Sequence, residues 1–288
     1  MVAPTSEPLS LLTVHAHPDD ESSKGPGTIA RYHAEGVRTT LVCCTGGEEG
    51  DILNPALAER DDIKADMPAV RERELKAAAA VIGYDAIVML GYRDSGMPES
   101  EANGHPDAFA RADLDEAVGR LVEVIRRVQP QVVVTYPESQ KMYPHPDHLR
   151  VTEISLPAFD LAGDPSAYPD AGDPWTPQKL YATVWSKQRV MATHQAFVEL
   201  GLESPFDQQW LDRPGQDHLI VARIAVHNNV RKRALLAHET QVDPQSPFWF
   251  GLPDDVQDRL HPYDEYCAVR MRVPIEPVED DLFAGLRG

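Results

Sequence analysis

The chain has 288 residues, 42% hydrophobic and 25% charged, which suits a globular protein with a real core, either one large domain or a domain with an extension. Its formal net charge of −19 opposes docking on nucleic acid or on anionic membranes. Residues 1–8 carry no Lys or Arg, and the apolar run over 9–14 is too short for a signal core or a membrane span, which points to a cytoplasmic protein.

Apolar runs and helical patterns alternate along the first two thirds. A buried strand is predicted over 9–15, a helix over 27–35, a second strand over 39–44, a helix over 69–82 and a strand over 87–90. Residues 114–128 place Leu114, Val118, Leu121, Val122 and Ile125 on one helical face, and Pro130 precedes a strand over 132–136. Continuous Val/Ile runs between helices imply an α/β fold: a Rossmann-like, mainly parallel sheet with helices on both faces. The polar segments 46–68 and 94–113 follow strands, on the edge where such sheets bind ligands. A Pro/Gly-rich stretch over 163–178 divides a core of 1–162 from an extension of 163–288. In the extension a strand is expected near 179–185, with helices near 189–200 and 228–238. The extension is expected to complete the sheet and the substrate cleft. Cys43, Cys44 and Cys267 form no Cys-x-x-Cys spacing and are expected as reduced thiols, with at least one of the adjacent pair buried in a strand.

Chemistry concentrates at two strand ends. The first is His15-Ala16-His17-Pro18-Asp19-Asp20-Glu21, directly after the first strand. The second is Tyr143-Pro144-His145-Pro146-Asp147-His148, a short loop beyond the strand ending at Tyr136. Two imidazoles and a carboxylate are a familiar set for Zn²⁺ or Fe²⁺ with open positions. His17, Asp20 and His148 are assigned as ligands, since two intervening residues let one loop turn His17 and Asp20 inward. Asp19 beside them can accept a proton from an activated water. His145 is a candidate general acid or oxyanion stabiliser, Asp147 a partner that fixes an imidazole tautomer, and Tyr143 a phenol donor. His15 is more suited to a structural place. His105-Pro106-Asp107 repeats the tripeptide without a second carboxylate, in a polar loop. Gly25-Pro26-Gly27-Thr28-Ile29-Ala30 matches a dinucleotide pattern, but it starts ten residues past His15 and contains Pro26.

These two motifs resemble those of the LmbE-like (PIG-L) family of zinc-dependent N-deacetylases and amidases. The resemblance spans most of the chain. It is closest to the branch of amidases that act on mycothiol S-conjugates, through HPDDESSKG (17–25), CTGG (44–47), ILNP (52–55), Asp94-Ser95-Gly96, TQVDP (240–244) and DLFAG (281–285). It implies a Rossmann-like fold with Zn²⁺ on His17, Asp20 and His148. It further implies Asp19 as base, His145 as acid or oxyanion stabiliser, Asp147 as the group that orients His145, and Tyr143 as an active-site tyrosine. Arg71 and Asp94 match positions that contact the sugar or inositol part of a substrate. Lys24 is the amidase branch's residue and would reach the cysteinyl or carboxylate-bearing part. The implied substrate is a small thiol conjugate cut between glucosamine nitrogen and N-acetylcysteinyl carbonyl; the alternative is N-acetylglucosaminyl-inositol deacetylation. Where the family often has a Gly-Gly loop, residues 137–142 are bulkier, and the hold on Tyr143 depends on that loop.

Overall fold

The computed structural model describes residues 8–138, 144–227, 229–260 and 262–287. Its frame is a seven-stranded sheet in the order β3-β2-β1-β4-β5-β7-β6. The strands are β1 (Ser10–His15), β2 (Arg38–Thr45), β3 (Ala86–Tyr92), β4 (Val132–Thr135), β5 (Lys179–Val184), β6 (Ile220–Ala225) and β7 (Tyr263–Met271). β1 to β5 run parallel, and β7 lies antiparallel between β5 and β6. The 163–288 segment therefore adds three strands to the same sheet rather than forming a separate one.

Every residue of β1 and of β4 is buried, as expected of central strands covered on both faces. Alternation then divides the core. Leu12 and Val14 point with Val133 and Leu180 into one layer, against the Leu114–Val128 and Pro146–Leu161 helices. Leu11 points with Val132, Val134 and Tyr181 into the other, against the Pro26–Ala34, Met67–Ile82 and Asn229–Ala237 helices. The C-terminal Leu282 and Phe283 close that second layer, both fully buried.

The chain runs outward from β1 to β3, returns to the far side of β1 as β4, and continues outward to β5. The strand order thus reverses between β1 and β4, which opens a crevice beyond their C-terminal ends. Register pairs Thr13 with Val134 across this switch point, so the segments after His15 and after Thr135 emerge side by side. Among the described residues no helix is long and apolar enough to cross a membrane. Cys43, Cys44 and Cys267 are free and buried.

Candidate active site

Four strand ends supply the crevice. After β1 the chain turns sharply: Asp19 sits at φ 110°, a backbone conformation rare for a residue with a side chain, and a single helical turn, Asp20–Ser23, follows. After β4, Tyr136 lies buried at the strand end. Beyond it, His145 caps the Pro146–Leu161 helix by accepting a hydrogen bond at Nδ1 from the Asp147 N–H at 3.2 Å, with Pro146 in the first turn. This cap sets Asp147 and His148 in the first turn, where unpaired N–H groups and the helix dipole favour anionic partners. After β2 comes Gly47, at φ 69° and so close to Arg71 that a Cβ there would lie 2.2 Å from Nη1. After β3 come Asp94 and Ser95.

The nominated metal ligands are brought together. His17, Asp20 and His148 are buried, and one donor atom from each lies within 4.8 Å of the others. Asp20 Oδ2 stands 3.3 Å from His148 Nε2 and 3.5 Å from His17 Nδ1. A second group, His17 with Asp94, His145 and Asp147, overlaps the first. The ring nitrogens of His17 decide between the two. Nε2 lies 3.0 Å from Asp147 Oδ2 and 3.4 Å from Asp94 Oδ1, so two carboxylates draw its proton there and leave Nδ1 as the lone-pair donor facing Asp20 and His148. A ligand imidazole whose other nitrogen is held by carboxylates is the arrangement that orients histidines on metal ions, so the first group fits a divalent ion and the second supports it.

Asp147 is itself fixed: Ser95 donates to it from its backbone N at 2.9 Å and from its hydroxyl. Its carboxylate thus serves His17 and Ser95, while its main chain serves His145. Asp94 accepts from Gly96 N at 2.8 Å and is 3% exposed, behind His17 rather than on an open surface. Arg71 is likewise internal, donating to the carbonyls of Pro18 and Gly47 and, at 3.0 Å, to Asp19 Oδ2. From there it ties the first and second strand-end loops and aims Asp19, whose side chain remains 32% exposed. Tyr143 lies outside the described residues.

The charges follow from these contacts. Burial alone would push the Asp20 carboxyl up, but Lys24, which donates to Oδ1, and His148 outweigh it and hold Asp20 well below the usual carboxylate range. Burial raises Asp19 above its ordinary value, and the opposing charge of Arg71 only partly offsets it. His17 is raised well above a free imidazole because Asp147, Asp20 and Asp94 overcome its burial. Burial, with the nearby rings of His17 and His148, lowers His145 to about 4. His15 is also lowered to about 4 by burial; it packs on Tyr136 with Nδ1 3.3 Å from the phenol oxygen, a structural place.

Three participants were not singled out from the sequence. Tyr136 donates to Asp20 Oδ2 at 2.7 Å and accepts from Ala16 N at 2.9 Å, bracing the ligand loop. Ser95 holds Asp147. His238 is fully buried and meets Glu21 Oε1 at 2.6 Å, while Glu21 Oε2 accepts from Asp19 N at 2.9 Å. The short motif His238-x-Thr240-Gln241 was the available signal: Thr240 binds Glu74 from its N–H and hydroxyl, both at 2.8 Å, and so anchors the same segment.

Beside the ligands lies a cleft of about 780 Å³. Lys24, Tyr136 and His148 line it, together with aromatic side chains from the 163–288 segment. Lys24 Nζ also lies 5.2 Å from the Tyr136 ring centre.

Comparison with known proteins gives concordant matches. The PIG-L family model, described as GlcNAc-PI de-N-acetylase, matches residues 12–159. A mycothiol S-conjugate amidase from Streptomyces coelicolor is 39% identical over 292 residues, covering 98% of this chain and 99% of its own. A 1D-myo-inositol 2-acetamido-2-deoxy-alpha-D-glucopyranoside deacetylase from Geodermatophilus obscurus is 41% identical over 290 residues, covering 96% and 98%. Among solved structures, the N,N'-diacetylchitobiose deacetylase from Pyrococcus horikoshii matches with a TM-score of 0.61 over 90% of this chain and 83% of that one. At 17% identity this bears on the fold alone.

Proposed function

The chain belongs to the PIG-L (LmbE-like) family of amide-hydrolysing deacetylases and amidases, and from that premise we propose that it is a Zn²⁺-dependent amidase of mycothiol S-conjugates. The observation that carries the reading is the convergence of His17, Asp20 and His148 on one point, with Asp19 beside them. A divalent ion held there supplies a Lewis acid and brings the pKa of a water to about 7. Zn²⁺ and Fe²⁺ both suit two imidazoles and a carboxylate, and Zn²⁺ is the ion we assign.

The chain's own groups do the rest. Asp19 takes the proton of the attacking water; Arg71 and the bond from its N–H to Glu21 keep the carboxylate aimed, and its raised pKa makes it a stronger base than a solvated carboxylate. His145 accepts at Nδ1 from Asp147 N, so its neutral ring carries the proton on Nε2. That N–H is the donor we assign to the carbonyl oxygen as charge builds on it, with the Tyr143 phenol as a second, and Asp19 then passes the proton it took from water to the departing glucosamine nitrogen. Asp94 and Arg71 fix the ligand loops from behind, Asp94 at His17 Nε2 and Arg71 at the Pro18 carbonyl and Asp19. Lys24, on the cleft wall, is assigned to the cysteinyl half of the conjugate, which gains its carboxylate on cleavage.

The deacetylase relatives make N-acetylglucosaminyl-inositol the second candidate substrate. The test offers protein stripped of metal and reloaded with Zn²⁺ both compounds side by side, with products followed by mass spectrometry. Faster metal-dependent release of a mercapturate is the expected result. Preferential release of acetate would move the chain to the deacetylase activity.

A further inference from the structure

The chain has four tryptophans, and three of them, Trp185, Trp210 and Trp249, line the cleft beside the ligands, together with Phe248. They come from separate segments: Trp185 follows β5, Trp210 belongs to the short Gln208–Asp212 helix, and Phe248 and Trp249 belong to the Pro247–Phe250 turn. Phe248 stacks on Trp185 at 5.6 Å with the planes only 6° apart. Trp249 stands edge-on to both, at 5.9 Å and 86° from Trp185 and 4.7 Å and 89° from Phe248. The result is a right-angled aromatic corner backed by Val184 and Val190. All four rings stay partly open to the cleft instead of being packed away.

Aromatic surface left facing a cleft is free energy held back from folding, and it is recovered when an apolar ring fills the space. The volume of about 780 Å³ lies in the range of sites for drug-sized ligands, far beyond what an acetyl group occupies. His148 and Lys24 line the same cleft, so a ring held at this corner shares one cavity with the proposed ligand His148. The side chains of Phe248, Val184 and Val190 offer no hydrogen-bond partner at this corner, so an apolar ring gains more there than a hydroxyl-rich sugar pair.

We propose that the Trp185–Phe248–Trp249 corner is a specificity site for a planar, apolar ring carried on the acid half of the amide. The site makes the enzyme prefer bulky aromatic acyl groups over acetyl. This rests on the amide-hydrolase reading above.

The test compares N-acetylglucosamine with N-(2-naphthylacetyl)glucosamine as substrates of the Zn²⁺-reloaded protein. The naphthylacetyl compound is expected to have the higher kcat/KM, by about tenfold or more, and Trp249→Ala to lower that ratio about tenfold, with Trp249→Phe restoring most of it. Binding of the naphthylacetyl amide to metal-stripped protein, followed by quenching of tryptophan fluorescence, gives a readout without turnover and should weaken about tenfold in Trp249→Ala. Naphthylacetyl binding that depends on Trp249 while neither amide is cleaved would leave the ring site standing and remove the hydrolase reading. Cleavage of both amides with equal kcat/KM, or equal losses for both in Trp249→Ala, would overturn the ring site and leave the hydrolase reading intact.

Discussion

The His17 imidazole spans two environments: its Nε2 lies 3.0 Å from Asp147 Oδ2, while its Nδ1 turns towards Asp20 and His148. In the proposed metal centre Asp147 therefore acts through His17 and is not a ligand itself. Replacing it by Asn keeps the volume but removes the charge that faces His17 Nε2, and its single oxygen cannot accept both there and from the Ser95 hydroxyl on the other carboxylate oxygen. Asp147→Asn is expected to weaken Zn²⁺ binding about 10- to 100-fold, towards the lower end because Asp94 still faces Nε2 at 3.4 Å. Competition against a fluorescent chelator measures it. Unchanged affinity would show that the His17 tautomer is set elsewhere.

Asp19 combines the proposed role in proton transfer with a backbone at φ 110°. Asp19→Ala would remove both the base and a residue type suited to that turn. Asn is among the residues that tolerate positive φ, so Asp19→Asn isolates the carboxylate. We expect kcat to fall about 10²- to 10⁴-fold with metal content and melting temperature near those of the parent. A loss of bound metal in step with activity would make Asp19 a structural residue instead.

Glu21 and His238 form a pair with no side-chain exposure on either partner. Removing one leaves the other charge buried alone. His238→Ala is expected to cost about 3–5 kcal/mol in urea unfolding, and Glu21→Gln combined with it should recover part of that loss. A loss in the double variant equal to the sum of the two single losses would show that the two groups are not coupled.

A pH dependence follows from Asp281, far from the site. Burial would raise its carboxyl, but Arg287, the Phe283 N–H and the Tyr32 hydroxyl hold it below the usual value. A carboxyl lowered in the folded state gives stability that is complete above its unfolded pKa of about 3.9 and lost as pH falls through the folded value. Asp281→Asn should destabilise the protein by about 1–3 kcal/mol at neutral pH, with the difference from the parent shrinking below about pH 4. A constant difference across that range would show that Asp281 acts through packing.

The parallel half of the sheet was legible because β1, β2 and β4 are buried on both faces and so write continuous apolar runs. Their observed bounds fall within two residues of those read from the pattern. The Pro146–Leu161 helix was not, because its first turn is occupied by chemistry and Pro157 interrupts its later part. β7 was hidden for another reason: its inward residues include Asp264, which is satisfied by Arg231 and by Thr28, contacts more than 30 residues away. The cluster of His17, Asp20 and His148 was visible because each of the three sits in a dense local motif. Tyr136, Ser95 and His238 stand singly in sequence and gain meaning only when the sheet brings their strand ends together. Arg71 showed the converse limit: its position matched a substrate-contact residue, yet the fold turns its guanidinium onto two backbone carbonyls and Asp19.

The most direct measurement is a titration of metal-stripped protein with Zn²⁺, with bound metal and cleavage of a mycothiol S-conjugate recorded on the same samples and repeated for His148→Ala. Turnover should rise in proportion to bound Zn²⁺, saturate at one ion per chain, and fall with metal binding in His148→Ala. Amide cleavage by the stripped protein at the reloaded rate, or full activity in His148→Ala, would contradict a catalytic centre built on His17, Asp20 and His148.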